Sequence, residues 1–471
     1  MDIENNVISK KQLSLFAKPN IAIKSDSTIK KLVEILNNNL DFHDQTSNYA
    51  SHNLHSFPAK FPPQLPAIFI NSLTKPGEIV LDPMVGSGTT IVEALFADRV
   101  GIGFDIDPLA LKISRVKTTR LDKEELTKLS SKIYSAAKSE FHKNPKKLQR
   151  LANEYFDAKT KKFINFWFLP ETQLELMALL IQINSIEKAA YRNFFQIIFS
   201  SLIITKSGGV SLALDLGHTR PHKVKALFDQ AGTIVYGDKN IDPSKKHFSA
   251  KLIRSSFDEF RKRARQNIAS VIDMPLRYAP VITFCDAQEL CLKENSVDLV
   301  ITSPPYASNA IDYMRAHKFS LAWFGAKIDT LTTKRNTYIG AEATSGFKFE
   351  DLPVFTSNKI ARLSEIDPKK ALVLKRYFSE MKRSLKEIFR VLKPGRVAVM
   401  VVGSSLMKGI DTETHKCLQE IGISVGFISP HIGIRQLDRN RRMLPASNKV
   451  NSDSQIQKRM HQEYIVGFYK P

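Results

Sequence analysis

An α/β fold, with strands buried in a parallel sheet and a large mainly helical insertion, is predicted by three stretches of this 471-residue sequence. Glu78 to Leu81 reads as a short strand, followed by the turn Asp82-Pro83-Met84-Val85-Gly86-Ser87-Gly88-Thr89-Thr90 and an apolar helix, Ile91 to Phe96. Val100 to Phe104 is a second strand and ends in Asp105. Val297 to Ile301 is an apolar run that reads as a buried strand carrying Thr302-Ser303-Pro304-Pro305-Tyr306 to a sheet edge.

The first two stretches describe a nucleoside-cofactor site. A glycine turn between strand and helix lets a ligand approach the backbone at the carboxyl edge of a parallel sheet. Asp82 is placed to hold an ammonium group. Asp105 lies about 20 residues on, the offset at which an acid meets ribose hydroxyls in dinucleotide folds. Thr89-Thr90 at the helix start excludes a P-loop, which needs Gly-Lys before Ser or Thr.

The third stretch suits a flat base. Pro304 and Pro305 carry no backbone donor, so the carbonyls of Ser303 and Pro304 are uncontested acceptors. Acceptors hold the protons of an exocyclic amine and favour its pyramidal, nucleophilic form, while Tyr306 is placed to stack on the ring. Methyl transfer from a sulfonium to that nitrogen needs little beyond positioning and electrostatics. The alternative is a Pro-Pro turn beside a core tyrosine.

The remaining elements follow in chain order. An extension, 1–49, contains one helix, Ser27 to Leu40, capped by Ser25, Asp26 or Ser27. Pro108 to Lys117 is the crossover helix, after which the expected third strand is long delayed. Asp122-x-x-Glu125 opens a helix with Leu126, Leu129, Ile133, Ala137 and Phe141 at helical spacing. Glu171 to Ile186 and Ala189 to Ile204 are further helices. Between apolar helices lie Lys206-Ser207-Gly208-Gly209 and Leu216 to Lys223, with Arg220 and Lys223 suited to phosphate and base-edge contacts. His218 and His222 lack a third ligand, so no metal is expected. Ser249 to Ile272 reads as a basic helix with Lys251, Arg254, Arg261, Lys262, Arg263 and Arg265 outward, and Leu252, Ile253, Phe257, Phe260, Ala264 and Ile268 as its packing face. Its basic side is a phosphate-tracking surface or a solvated face.

Val281 to Phe284 is the delayed strand; it ends in Cys285-Asp286, where an acid can reach an adenine amine. Ala310 to Lys318 begins a helix whose Asp312, Tyr313 and Arg315 face the base or pack. Lys327 to Lys370 reads as a polar, basic, mobile loop with Gly340 and Gly346. Tyr377 to Val391 is an amphipathic helix stopped by Lys393-Pro394-Gly395, and Val397 to Val402 is a buried strand. Ser424 to Ser429 and Glu463 to Tyr469 make a reversed closing hairpin, and Arg435, Arg439, Arg441 and Arg442 between them suit phosphate contact.

Composition agrees. A chain of this length with 43% hydrophobic residues buries a full core. A net charge of +22 and a pI near 9.7 call for an anionic partner, of which nucleic acid is the commonest. Three cysteines form neither a metal-ligand spacing nor a disulfide framework and suit a reducing cytoplasm. Cys285 and Cys291 do not follow proline as the nucleophile of cytosine C5 methylation does, and read as core residues. Phe194 to Thr205, the most apolar run, is too short to span a bilayer, and no signal peptide or membrane partner is expected.

Together these residues resemble the S-adenosylmethionine-dependent amino-methyltransferases that modify DNA. Asp82 to Thr90 is similar to their cofactor loop, Asp105 to their ribose acid, and Thr302 to Tyr306 to their catalytic block. His55-Ser56-Phe57-Pro58-Ala59-Lys60-Phe61-Pro62-Pro63 is similar to the segment that closes over the methionine part. The resemblance spans roughly half the chain and implies a Rossmann-like methyltransferase sheet. It implies S-adenosylmethionine held by Phe61, Asp82, Pro83, Gly86, Gly88, Thr89, Asp105 and Asp286, with Ser303, Pro304, Pro305 and Tyr306 catalytic. Duplex DNA is the expected partner, recognised through Arg220, Lys223, Arg261, Arg263, Arg435, Arg439, Arg441 and Arg442, and a cognate restriction endonuclease is a candidate second one.

Within this family the Ser-Pro-Pro-Tyr form is associated mainly with cytosine N4, and the Asp and Asn forms mainly with adenine N6, so cytosine N4 is favoured. The alternatives are N6-adenine methylation, an RNA or tRNA base methyltransferase, and a catalytically dead nucleic-acid-binding protein. The expected domains are 1–49, the extension; 50–117, the cofactor half; 118–278, the recognition insertion; 279–326, the catalytic half; 327–370, the basic loop; and 371–471, the closing strands. The insertion precedes the Asp286 strand rather than the catalytic strand, so target sequence does not carry over from the family.

Overall fold

The computed structural model describes residues 27–57, 60–205, 209–214, 216, 221–238, 250–252, 254–275, 277–307, 313–437 and 462–471. Its first elements are α1 (Ser27–Asn37), α2 (Gln64–Leu73), β1 (Ile79–Asp82), α3 (Thr89–Phe96), β2 (Val100–Asp105) and α4 (Pro108–Lys117). The helical insertion follows: α5 (Lys123–Lys143), α6 (Pro145–Tyr155), α7 (Ala158–Trp167), α8 (Pro170–Asn184) and α9 (Ala189–Ile203). Then come β3 (Ala226–Phe228), β4 (Ile234–Gly237), β5 (Ala250–Leu252) and α10 (Ser256–Ser270). The chain re-enters the main sheet with β6 (Val281–Phe284) and β7 (Val297–Thr302), continuing through α11 (Tyr313–Leu321), α12 (Ile328–Arg335), α13 (Val354–Ile366) and α14 (Pro368–Val391). It closes with β8 (Leu392–Gly403), β9 (Leu406–Met407), β10 (Ile410–Asp411), α15 (Thr414–Val425), β11 (Ile432–Gln436) and β12 (Gln462–Tyr469).

The main sheet runs β11-β12-β8-β7-β1-β2-β6. All neighbours from β8 to β6 are parallel; β12 alone is reversed, antiparallel to both β8 and β11, so β11 runs in the same direction as β8. The chain winds outward from β1 through β2 to β6 and then crosses to β7, so β1 and β7 flank the point where strand order reverses. At such a point the connections diverge to opposite faces and leave a crevice at the strands' carboxyl ends.

Strand periodicity divides the core. Val397, Val399 and Val401 of β8 pack with α1 and α2, whereas Ala398, Met400 and Val402 pack with α14 and α15. Both faces are covered, which is why these strands read as unbroken apolar runs. The α1 helix comes so close to β12 that a Cβ at Gly467 would sit 2.7 Å from Leu36 Cδ1. Helices α5 to α11 bury a second core around Phe195, Phe199, Phe319 and Trp323.

Several boundaries differ from expectation. The strand that pairs with β12 in the closing hairpin is Ile432–Gln436 rather than Ser424 to Ser429, because the preceding residues extend α15 to Val425. The basic helix begins at Ser256, where the Ser255 hydroxyl accepts from Phe257 N. Leu252 and Lys251 therefore belong to β5, and the buried Lys251 ammonium donates to the carbonyls of Gly209 and Ala213. The segment read as a mobile loop, Lys327 to Lys370, contains α12 and α13 and is tied to α14: Gly340 N donates to Glu380 Oε2 at 2.6 Å, and Arg383 Nε to Glu350 Oε1 at 3.1 Å. The turn after β6 returns Cys291 to Cys285 and brings the two sulfurs together; Cys291 is exposed rather than in the core. The candidate caps Ser25 and Asp26 lie outside the described residues. Among the described residues no helix is long and apolar enough to cross a membrane.

Candidate active site

The carboxyl ends of β1, β2, β6 and β7 open into one cavity of 860 Å³ including its mouth. Its wall is built from Asp82, Pro83, Gly86 and Thr89 after β1, Asp105 at the end of β2, Asp286 after β6, and Ser303 and Pro305 after β7. Phe61, from the segment before α2, completes it. Four residues far apart in sequence thus meet because parallel strands end on one edge.

The loop after β1 is held by its own backbone and by Asp105. Val85 N donates to Phe104 O at 2.7 Å and Gly88 N to Val85 O at 2.8 Å. Gly86 N donates to Asp105 Oδ2 at 2.9 Å, and Asp107 N to Asp105 Oδ1 at 2.9 Å. Burial, with the Asp107 charge beside it, pushes the Asp105 carboxyl up to about 7. Burial pushes Asp82 up to about 6. In both, burial disfavours the charged form.

Gly88 is outside the cavity wall. It has φ +82°, and a Cβ there would lie 3.0 Å from Ser114 Cβ of α4, so its role is to seat α3 against α4. Ser114 Oγ in turn donates to Gly86 O at 2.8 Å.

The block Ser303 to Tyr306 leaves β7 without regular structure, and among the described residues no backbone–backbone hydrogen bond holds it. Ser303 and Pro305 reach the cavity, whereas Pro304 and Tyr306 are not in its wall. Tyr306 is buried, and its hydroxyl donates to Glu463 Oε1 at 3.0 Å.

Four further wall residues are ones to which the sequence assigned no individual cofactor contact. Phe57 stacks on Tyr313, centroids 5.2 Å apart and planes 27° apart, and both rings line the cavity. Lys60, also in the wall, donates to His52 O at 2.7 Å, and burial lowers its pKa to about 8. Tyr338 arrives from the segment after α12 and donates to Asp107 Oδ2 at 2.9 Å. Asp107 caps α4 through Leu109 N and Ala110 N and also meets His317 Nδ1 at 2.7 Å. Phe57 and Lys60 stood inside a recognisable block; Tyr338 had no sequence signal, because only the packing of its segment on α14 brings it here.

Residues 8–116, which contain the cofactor loop and Asp105, match the family described as DNA methylase. The Type II methyltransferase M.MvaI of Kocuria varians is 26% identical over 428 residues, 84% of this chain and 87% of that one. These similarities support an amino-methyltransferase of the N4-cytosine/N6-adenine family. The Type II methyltransferase M.AvaI of Nostoc sp. is 23% identical over 389 residues, 74% of this chain and 73% of that one. A solved structure of a Thermus thermophilus DNA modification methylase complexed with S-adenosyl-L-methionine matches 40% of this chain and 51% of that one at 20% identity, with a TM-score of 0.21.

S-adenosylmethionine is the methyl donor that the DNA methylase match implies, and the cavity suits it. Three carboxylates, Asp82, Asp105 and Asp286, face a ligand that carries an ammonium, ribose hydroxyls and an adenine amine, while Met84, Ile106 and Ala287 supply apolar wall.

The proposed nucleic-acid contacts are scattered. Arg261 is exposed on α10, 3.4 Å from Asp258 and over the Tyr134 ring at 5.3 Å. Arg263 is half-buried on the same helix. Lys223 lies over the Phe166 ring at 4.4 Å. Arg435 is corrected: it lies in β11, 5% exposed, with Nη1 donating to Glu463 Oε2 at 2.8 Å, so its charge is spent inside the sheet. Arg220, His218, Asp312, Arg439, Arg441 and Arg442 lie outside the described residues, as do Pro58 and Ala59.

Proposed function

We propose that this chain methylates the exocyclic amine of a base extruded from duplex DNA, and that the acceptor is cytosine N4. The observation that carries the reading is Ser303: it stands at the carboxyl end of β7 in the wall of the cavity that Asp82, Asp105 and Asp286 line. The Ser-Pro-Pro-Tyr form of the block favours cytosine over adenine, and the names of the relatives favour DNA.

The proteinaceous parts have distinct tasks. Asp105 accepts from ribose hydroxyls, Asp82 from the ammonium, and Asp286 from the adenine amine. Bound S-adenosylmethionine supplies an electrophilic methyl on a sulfonium, so no strong base is required of the protein. Ser303 Oγ and the Pro304 carbonyl hold the target amine's hydrogens, which keeps the nitrogen lone pair off the ring and in line for attack. The proton released on N-methylation passes to solvent, directly or by relay through the Ser303 hydroxyl, which gives up its own proton as it accepts one. Extrusion of the base costs a few kcal/mol, offset by phosphate contacts of the basic surface and by the base pocket.

The test is incubation with labelled methyl donor and duplex DNA in competition with tRNA, followed by digestion to nucleosides and mass spectrometry. N4-methylcytosine is expected. N6-methyladenine would overturn the base assignment, and label confined to tRNA would overturn the DNA substrate.

A further inference from the structure

The aromatic residue of the catalytic block is tied to the far side of the sheet by a buried ion pair. Tyr306 Oη donates to one oxygen of Glu463 at 3.0 Å, and Arg435 Nη1 donates to the other at 2.8 Å. All three residues are buried. Glu463 and Arg435 face one another across β12 and β11, and Glu463 is the register partner of Gly403, the last residue of β8. The carboxylate therefore arrives at the same sheet edge as Ser303, two strands away.

A buried ion pair is a poor stabiliser, since an apolar pair of similar volume is often as good or better. Its value here is directional. Pro304 and Pro305 remove two backbone donors just before Tyr306, and the block has no regular structure to orient that ring. The hydroxyl tether supplies the orientation. Burial and the Glu463 carboxylate both hold the phenol protonated, so the hydroxyl remains a donor. Arg435 occupies the second carboxylate oxygen and neutralises the charge, leaving the first oxygen aimed at Tyr306.

We propose that Glu463, held by Arg435, is a positioning residue that sets the Tyr306 ring for the target base. The inference rests on the reading of Tyr306 as part of the base pocket. It assigns a task to the closing hairpin, which otherwise only completes the sheet.

The experiment compares wild type with four variants: Arg435→Met with Glu463→Met, Arg435→Met with Glu463→Gln, Tyr306→Phe, and Tyr306→Phe added to the first pair. The paired changes remove or rebalance both charges, so neither leaves a buried ion alone. The apolar pair is expected to bind S-adenosylmethionine within about twofold of wild type by calorimetry while kcat falls tenfold or more, the scale of a misplaced group at a reacting centre. The Gln variant keeps an acceptor and should recover most of that loss. Tyr306→Phe should reproduce the loss and add nothing when combined with the apolar pair. Wild-type kcat in the apolar pair, an equal loss in the Gln variant, or a parallel loss of cofactor binding would each overturn the proposal. If wild type labels tRNA rather than DNA, the functional reading fails, yet the same comparison on tRNA still decides this one. A wild type that labels neither removes both.

Discussion

Each chemical task proposed for the cavity falls to a side chain whose environment can be tested singly. Ser303→Ala removes the proposed amine acceptor and should lower kcat by about 10²-fold, with the cofactor Kd within about twofold; a large rise in Kd would move Ser303 to the cofactor side. Asp105 behaves differently. Its carboxyl is pushed up to about 7 in the free protein, chiefly by burial. Only the ionised form accepts from two ribose hydroxyls, so cofactor affinity should rise as pH increases through about 7 and level off above it. Asp105→Asn should raise Kd and flatten that dependence, as calorimetry from pH 6 to 8 would register. A slope surviving in the variant would place the titration elsewhere.

The elements around the site hold it through a few contacts that no local propensity supplies. Gly88 combines φ +82° with the close approach of Ser114, so Gly88→Ala should cost about 1–3 kcal/mol in denaturant melts, through backbone strain and separation of α3 from α4. Helix α14 works at longer range. Arg376 Nε meets Glu380 Oε1 at 2.9 Å, Arg376 Nη2 donates to Asn336 O at 2.7 Å, and Glu380 receives Gly340 N. These bonds bracket Tyr338 and present it to Asp107 and the cavity. Glu380→Ala leaves the Arg376 charge buried and unpaired, so a loss of about 3–5 kcal/mol is expected, with weakened cofactor binding. Tyr338→Phe separates the two effects: stability should hold while cofactor Kd rises.

At the scale of the whole molecule, charge governs the partner. With a net charge of +22, affinity for duplex DNA should fall steeply with salt, by a slope of about 0.9 for each phosphate neutralised. Arg261→Ala on the exposed face of α10 should reduce that slope by about 1. Arg435→Met with Glu463→Met should leave it unchanged, because that arginine is already paired inside the sheet. Titrations of labelled duplex at several salt concentrations distinguish the two.

The main-sheet strands β1, β2, β6, β7, β8 and β12, the crossover helix, and the three acids and the serine of the cavity were readable directly, for a physical reason. Parallel strands buried on both faces are unbroken apolar runs, and the residues at their carboxyl ends must share one edge, so Asp82, Asp105, Asp286 and Ser303 converge whatever lies between them. Local pattern said nothing of partners distant in the chain. Tyr338 reaches the cavity only because its segment is bonded to α14, and Arg435 is an internal counter-charge only because Glu463 lies opposite it across two strands. Basic residues look alike in sequence whether they face phosphate or a buried carboxylate. The sequence by itself determined which chemistry the sheet edge carries; the tertiary structure decided which charges remain for a partner and which are consumed in holding the site together.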